Sequence, residues 1–232
     1  MADLVYQFHV LLHGVEPAVW RRLRVCSNTS LAELHGIVQA AFGWSDVRRH
    51  QFLIRGKRYG GAQTVVLSER AELARFCFRP KERFLYHYGL ADEWRHQIRF
   101  EGTAVLGEGL ASTVCIGGAR AGPSDECTGP SDYADRLSRQ SGDAPWVERF
   151  YVADVLARLA HARPGETVRE TVGDVDVFAL AVQRLGAHDR FNPDRFDRHE
   201  VNRRLRAYAN GDERWREPDD DDDNNLRDDR RP

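Results

Sequence analysis

Residues 5–44 read VYQFHVLLHGVEPAVWRRLRVCSNTSLAELHGIVQAAFGW, and the fold turns on how this stretch divides. Tyr6, Phe8, Val10 and Leu12 recur with a period of two, the mark of a strand that buries one face. Gly14 and Pro17 interrupt it. In VWRRLRVC the residues Val19, Leu23 and Val25 again face one way, so the chain returns as a second strand through a hairpin connection at Gly14–Pro17. Ser30 and Glu33 then form a capping box, in which each side chain satisfies an amide left free at a helix start. Leu31, Leu34, Val38 and Ala41 give that helix an apolar stripe, and Gly43 ends it. The opening is ββα.

Working outward, further strands are expected around His50–Ile54, Arg83–Tyr88 and Glu93–Glu101, the last two joined by a tight turn at Gly89–Asp92. A shorter strand leads into Cys115. Helical patterns follow near Ser131–Arg139, Val147–His161, Val175–Leu185 and Asp194–Ala209, and no repeat is visible. The expected fold class is α+β: a largely antiparallel sheet, the first helix packed on one face, and C-terminal helices added. Residues 1–209 form one domain with its helical part at 131–209. The remainder, 210–232, offers only Trp215 and Leu226 as sizeable apolar area beside five consecutive aspartates, too little to offset the entropy of ordering, so a disordered acidic tail is expected.

A chain of 232 residues with 41% apolar and 30% charged residues has the composition of a soluble globular protein with a real core. Its apolar runs are too short to span a bilayer. The N-terminus alternates and lacks a basic start followed by an apolar block, so no signal peptide is read there. Cys26, Cys77, Cys115 and Cys127 are irregularly spaced and imply no disulfide framework; a cytoplasmic protein with reduced thiols is expected. Residues 210–232 carry ten acids and five arginines, net −5, against −2 for the whole chain, so residues 1–209 carry +3.

Five segments in order, GVEPAVWRRLRV, LAELHGIVQAAFGW, HQFLIRGKRYG, RFLYHYGLADEWRHQIRFEG and CIGGARAGPSDECTGP, together resemble the plasmid ORF-3-like family, also described as insertion-element passenger proteins of TnpR type. The resemblance covers about Val5 to Tyr133 and resumes in FNPDRFDRHEVNRRL. It implies a compact α+β protein carried on bacterial mobile genetic elements, and it names no reaction. The TnpR label suggests a resolvase, but the chain shows no nucleophilic serine set among arginines and no DNA-reading helix pair. The turn GLAD and the loop GPSDECTG also depart from the family's common Gly-Asp and Pro-Pro-Glu-Asp-Gly-Gly patterns.

The residues leave two function classes open. The first is a binding module that works through protein or nucleic-acid contacts. Along Asp194–Ala209, Arg195, Arg198, Asn202 and Arg206 share a side, where guanidiniums would meet phosphates and Asn202 a base edge, against the simpler account of a solvated face with interspersed aspartates. Trp94 belongs with the hairpin turn Gly89–Trp94, which together with the Cys115–Cys127 loop is the expected functional surface. The second class is a small metal- or thiol-dependent enzyme, hydrolase-like, built from the 87–96 hairpin and the 115–127 loop. Asp92, Trp94, His96 and Ile98 share one strand face, so Asp92 would orient His96 as acid or base, with Cys115 as nucleophile. His87, His96, Cys115, Cys127, Asp125 and Glu126 are the candidate ligands for zinc, although the cysteines lack the close pairing of zinc sites. The competing account packs His96 and both cysteines as core and gives the glycines of the loop to turns. His35, flanked by Trp20 and Trp44, is likewise read as core rather than as part of an aromatic cleft. No P-loop, dinucleotide fingerprint, H-E-x-x-H or G-x-S-x-G motif is present, so binding without a cofactor is the leading expectation.

Overall fold

Strand β1 (Leu4–Leu12) carries its alternation into three dimensions: Phe8, Val10 and Leu12 are buried while Gln7, His9 and Leu11 are half-exposed. This is a computed structural model, and it describes residues 4–60, 71–89, 94–105, 113–141, 144–163, 167–190 and 192–216. The other strands are β2 (Trp20–Cys26), β3 (His50–Ile54), β4 (Lys57–Tyr59), β5 (Arg83–Tyr88), β6 (Trp94–Val105) and β7 (Val114–Ala119). They form one antiparallel sheet in the order β4-β3-β5-β6-β1-β2-β7. The β5–β6 hairpin forms as expected, with Tyr88 opposite Trp94, while residues 90–93 of its turn lie outside the described residues.

Helix α1 (Leu31–Phe42) begins at the expected capping box: Ser30 Oγ accepts from Glu33 N–H at 3.2 Å, and Glu33 Oε2 accepts from Ser30 N–H at 2.7 Å. Gly43, with φ of 80°, ends it in the left-handed region. A single apolar stripe was expected of α1, yet nearly every position from Leu31 to Phe42 is buried. The reason is a second partner. Helix α6 (Arg198–Ala209) covers the side of α1 turned away from the sheet, and Gly36 permits the approach, since a Cβ there would stand 2.3 Å from the Tyr208 ring. Helices α2 (Pro130–Ser141), α3 (Ala144–Ala160), α4 (Val168–Val172) and α5 (Val175–Arg190) form the remaining helical part.

The structure corrects two boundaries and adds a strand. Helix α6 starts at Arg198 rather than Asp194, because Asp197 caps it by accepting from His199 and Glu200 N–H. Strand β4 was not foreseen; it pairs with β3 across Arg55–Gly56, both at positive φ, a hairpin turn without the usual Asn-Gly or Asp-Gly signal. The expected tail also begins too early. Trp215 is 3% exposed, packs edge-on to Tyr208 at 5.4 Å and joins the core, whereas 217–232 lies outside the described residues. Among the described residues no helix is long and apolar enough to cross a membrane.

Candidate functional site

After β7 the chain runs beneath the C-terminal end of α1. There Trp44 Nε1–H donates to the Pro123 carbonyl at 2.7 Å, and Asp125 Oδ2 accepts from Ser45 N–H at 2.5 Å. Gly122 lies so near α1 that a Cβ would stand 2.2 Å from the Phe42 carbonyl oxygen. This docking of residues 121–125 on α1, with the first turn of α6 opposite, leaves a cleft of about 700 Å³.

Five arginines line that cleft: Arg21, Arg120, Arg195, Arg204 and Arg216, against the carboxylates Asp125, Asp197 and Glu200. Four of them have carboxylate partners. Arg120 pairs with Asp194, Arg195 with Asp197 at 2.9 Å, Arg204 with Glu200 at 2.8 Å, and Arg216 with Glu213. Arg21 differs. It is 2% exposed, and its Nε–H donates to Ala41 O at 3.0 Å while Nη1 donates to Trp20 O at 2.8 Å and Ala119 O at 3.0 Å. Phe42 and Phe196 flank its guanidinium at 5.0 and 4.8 Å. Three of five N–H donors are thus used, and Nη2 retains two with no partner among the described residues. No described carboxylate pairs with it, and burial pushes its pKa down to about 10. A cation is costly to bury without a counter-charge.

Beside the cleft, behind Ser45, lies a second polar cluster. Gln39 Nε2–H donates to Tyr86 Oη at 2.8 Å, and Tyr86 Oη lies 2.7 Å from His35 Nδ1. Since Tyr86 accepts from Gln39 and has one proton to give, its O–H donates to Nδ1, and His35 Nε2–H donates to Asp46 Oδ1 at 2.6 Å. Gln39 Oε1 accepts from Asp46 N–H at 3.2 Å, which fixes Asp46 in a left-handed conformation with φ of 61°. His50, on β3, stacks on His35 with ring centroids 3.5 Å apart and planes at 13°, and its Nε2 is buried without a hydrogen-bond partner among the described residues. Burial first, and His35 second, pushes the His50 pKa down to about 4. Tyr86 is pushed well above its ordinary value by burial.

The residues singled out from sequence distribute differently. His96 is fully buried against the rings of Phe42, Trp44 and Tyr86, neither ring nitrogen makes a hydrogen bond of ordinary geometry to a described residue, and burial, the largest cause, pushes its pKa down to about 3. It has no described carboxylate to orient it, and Asp92 lies outside the described residues. Trp94 is also fully buried, against Trp44, and presents no binding surface. His87 sits on the opposite sheet face from His96, because β5 and β6 pair Tyr86 with His96 and His87 with Arg95. Cys115 and Cys127 are buried free thiols whose pKa values burial raises, an environment that disfavours the thiolate. Glu126 is exposed and pairs with Arg136 at 3.2 Å. Among the described residues the expected zinc ligands do not gather; only His35, Asp46 and His50 do.

On α6, Asn202 is turned to the sheet edge, where it accepts from Cys115 N–H at 2.8 Å and donates to Cys115 O at 2.9 Å, so it is spent on structure and not on a base edge. Arg198 and Arg206 are exposed, and Arg195 faces the cleft. His35 does approach the sheet as expected, but Trp20 is on the far face, stacked on His9 at 5.1 Å, so no aromatic cleft forms with Trp44. Sequence reasoning missed Arg21, which sits at an inward position of β2 between the apolar Val19 and Leu23; a charge there was the available signal.

Residues 4–144 match the family model described as plasmid pRiA4b ORF-3-like protein. The chain belongs to that family. A relative, the uncharacterized protein y4hQ of Sinorhizobium fredii (strain NBRC 101917 / NGR234), is 28% identical over 189 residues, covering 78% of this chain and 87% of the relative. The crystal structure of MM3350, a protein of unknown function from Methanosarcina mazei Go1, superposes with a TM-score of 0.63 at 23% identity, over 87% of this chain and 98% of that one. That likeness shows the fold alone. The family match contains β1–β7, α1 and the 121–125 loop, while α6, which closes the cleft, lies beyond it.

Proposed function

We propose that the protein is a binding module that seats a phosphate-bearing ligand, a nucleotide or an unpaired nucleic-acid end, in the cleft between α1, the 121–125 loop and α6. The observation that carries this reading is Arg21: a buried guanidinium in the wall of a cleft, held rigidly by three carbonyls, with two donors and a positive charge unmatched among the described residues. Planar guanidiniums match phosphate oxygens in both geometry and charge. A cleft of about 700 Å³ is in the range of small-ligand sites and does not fit a double helix. With Asn202 bonded to Cys115, α6 lacks the base-reading side chain that a duplex interface would want. The family takes its name from a plasmid reading frame, and a nucleic-acid-linked accessory role is in keeping with that.

Fluorescence anisotropy with a labelled single-stranded oligonucleotide, competed by a mononucleoside triphosphate, tests the reading. Saturable binding that weakens with salt is expected, with Arg120→Gln and Arg204→Gln each reducing affinity several-fold. Equal competition by the mononucleotide assigns the ligand to nucleotides, and weak competition assigns it to strands. Binding of poly-glutamate as tight as that of the oligonucleotide, or no binding of either phosphate probe at low salt, overturns it.

A further inference from the structure

We infer that His35, Asp46 and His50 form a binding site for one divalent transition-metal ion of the zinc or iron(II) type. The inference rests on the polar cluster behind the cleft, which meets the cleft where Arg216 Nη2 lies 3.9 Å from Asp46 Oδ2. His35 projects from α1, Asp46 from the turn after it, and His50 from the start of β3. Their candidate ligand atoms all lie within 4.8 Å of one another. Two imidazoles and one carboxylate are a donor set suited to zinc, iron(II), cobalt or nickel; calcium and magnesium prefer all-oxygen sites.

Two further features separate this cluster from an ordinary buried hydrogen-bond chain. His50 Nε2 is buried with no hydrogen-bond partner among the described residues, and a ring nitrogen of the same imidazole lies within 4.8 Å of ligand atoms of His35 and Asp46. A buried polar atom of this kind calls for an explanation, and a cation supplies one. The second feature is support from behind: Tyr86 Oη on His35 Nδ1 at 2.7 Å, and Gln39 holding both Tyr86 Oη and the Asp46 amide. Ligating histidines are oriented in this way through their other ring nitrogen. On coordination the His35 Nε2–H···Asp46 bond gives way to two bonds to the ion. The His35 proton then resides on Nδ1, facing Tyr86, and His50 rotates out of the parallel stack so that a ring-nitrogen lone pair converges with the other two ligands.

Chelator-treated full-length protein titrated with Co²⁺ by visible spectroscopy, and with Zn²⁺ by calorimetry, tests the site. The expected result is 1:1 binding with d–d bands and no thiolate charge-transfer band, which separates this site from the exposed Cys77. His50→Ala and Asp46→Asn each weaken binding by more than about tenfold, and Tyr86→Phe by about 10- to 100-fold through loss of orientation, with circular dichroism showing the fold retained. Absence of stoichiometric binding of either ion to the wild-type protein overturns the inference. So does binding that is unchanged in folded Asp46→Asn and His50→Ala. Neither readout involves phosphate, so the site stands or falls separately from the cleft.

Discussion

Two histidine neighbourhoods lie under the same helix and are built on opposite principles. Below the C-terminal end of α1, His96 is enclosed by Phe42, Trp44 and Tyr86 and is pushed to a pKa of about 3, chiefly by burial. About two turns back along α1, His35 is wired to Tyr86 and Asp46 and faces a second imidazole. Tyr86 touches both, with its ring toward His96 and its hydroxyl toward His35. Histidine in this fold is therefore filler in one place and an oriented donor in the other, and the difference is set by a single carboxylate. Asp46 reaches His35 from the turn that follows α1, whereas no described carboxylate enters the aromatic layer.

The largest effect expected from breaking the aromatic side is Trp44→Ala, which removes a fully buried indole that stacks on Tyr88 and bonds Pro123; a loss of about 3–5 kcal/mol in chemical denaturation is predicted. Next is acid. The folded-state pKa of His96 is depressed below the unfolded value of about 6.5, so the unfolded chain binds the extra proton. Stability is then full above about pH 6.5 and falls as pH drops toward about 3. The loss at pH 4 is on the order of 3 kcal/mol from this group, and His50, depressed to about 4, adds in the same window. His96→Leu flattens this dependence; a profile identical to that of the wild type contradicts the assignment of His96 as a buried neutral base.

On the polar side, Tyr86→Phe leaves the Gln39 amide and His35 Nδ1 without their shared partner and costs about 1–3 kcal/mol in urea unfolding. It leaves the His96 contribution to the acid transition in place. The smallest effect in the series is at the helix start: Ser30→Ala removes one half of the capping box and lowers stability by about 1 kcal/mol without changing either neighbourhood.

Much of this fold is readable in the sequence where local rules act alone. The ββα opening, the capping box at Ser30 and Glu33, the Gly43 stop and the β5–β6 hairpin follow from periodicity and backbone chemistry. What local rules miss is decided by distant partners. The depth at which α1 is buried depends on α6, more than 150 residues later in contact order, as Tyr208 Oη donating to the Glu33 carbonyl shows. Trp215 reads as part of a polar tail until Tyr208 gives it a surface to cover. The candidate site was legible only in outline. The 115–127 loop does border the cleft, but through Gly122, Pro123 and Asp125 rather than its cysteines, and His35, Asp46 and His50 meet only because the β3 strand lies beside the end of α1. Arg21 carried a readable signal, a charge at an inward strand position.

The claim that the cleft exists to hold an anion rests most heavily on Arg21, and calorimetric titration of inorganic pyrophosphate into wild-type and Arg21→Met protein tests it most directly. Methionine keeps an apolar stem on the strand while removing the buried guanidinium that lies between Phe42 and Phe196, and circular dichroism checks that the variant is folded. The account predicts 1:1 binding to the wild type and at least about tenfold weaker binding to the variant, since a hydrogen bond to a charged group contributes about 1.5–3 kcal/mol. Equal affinity of the two proteins, or no binding to either, would contradict it.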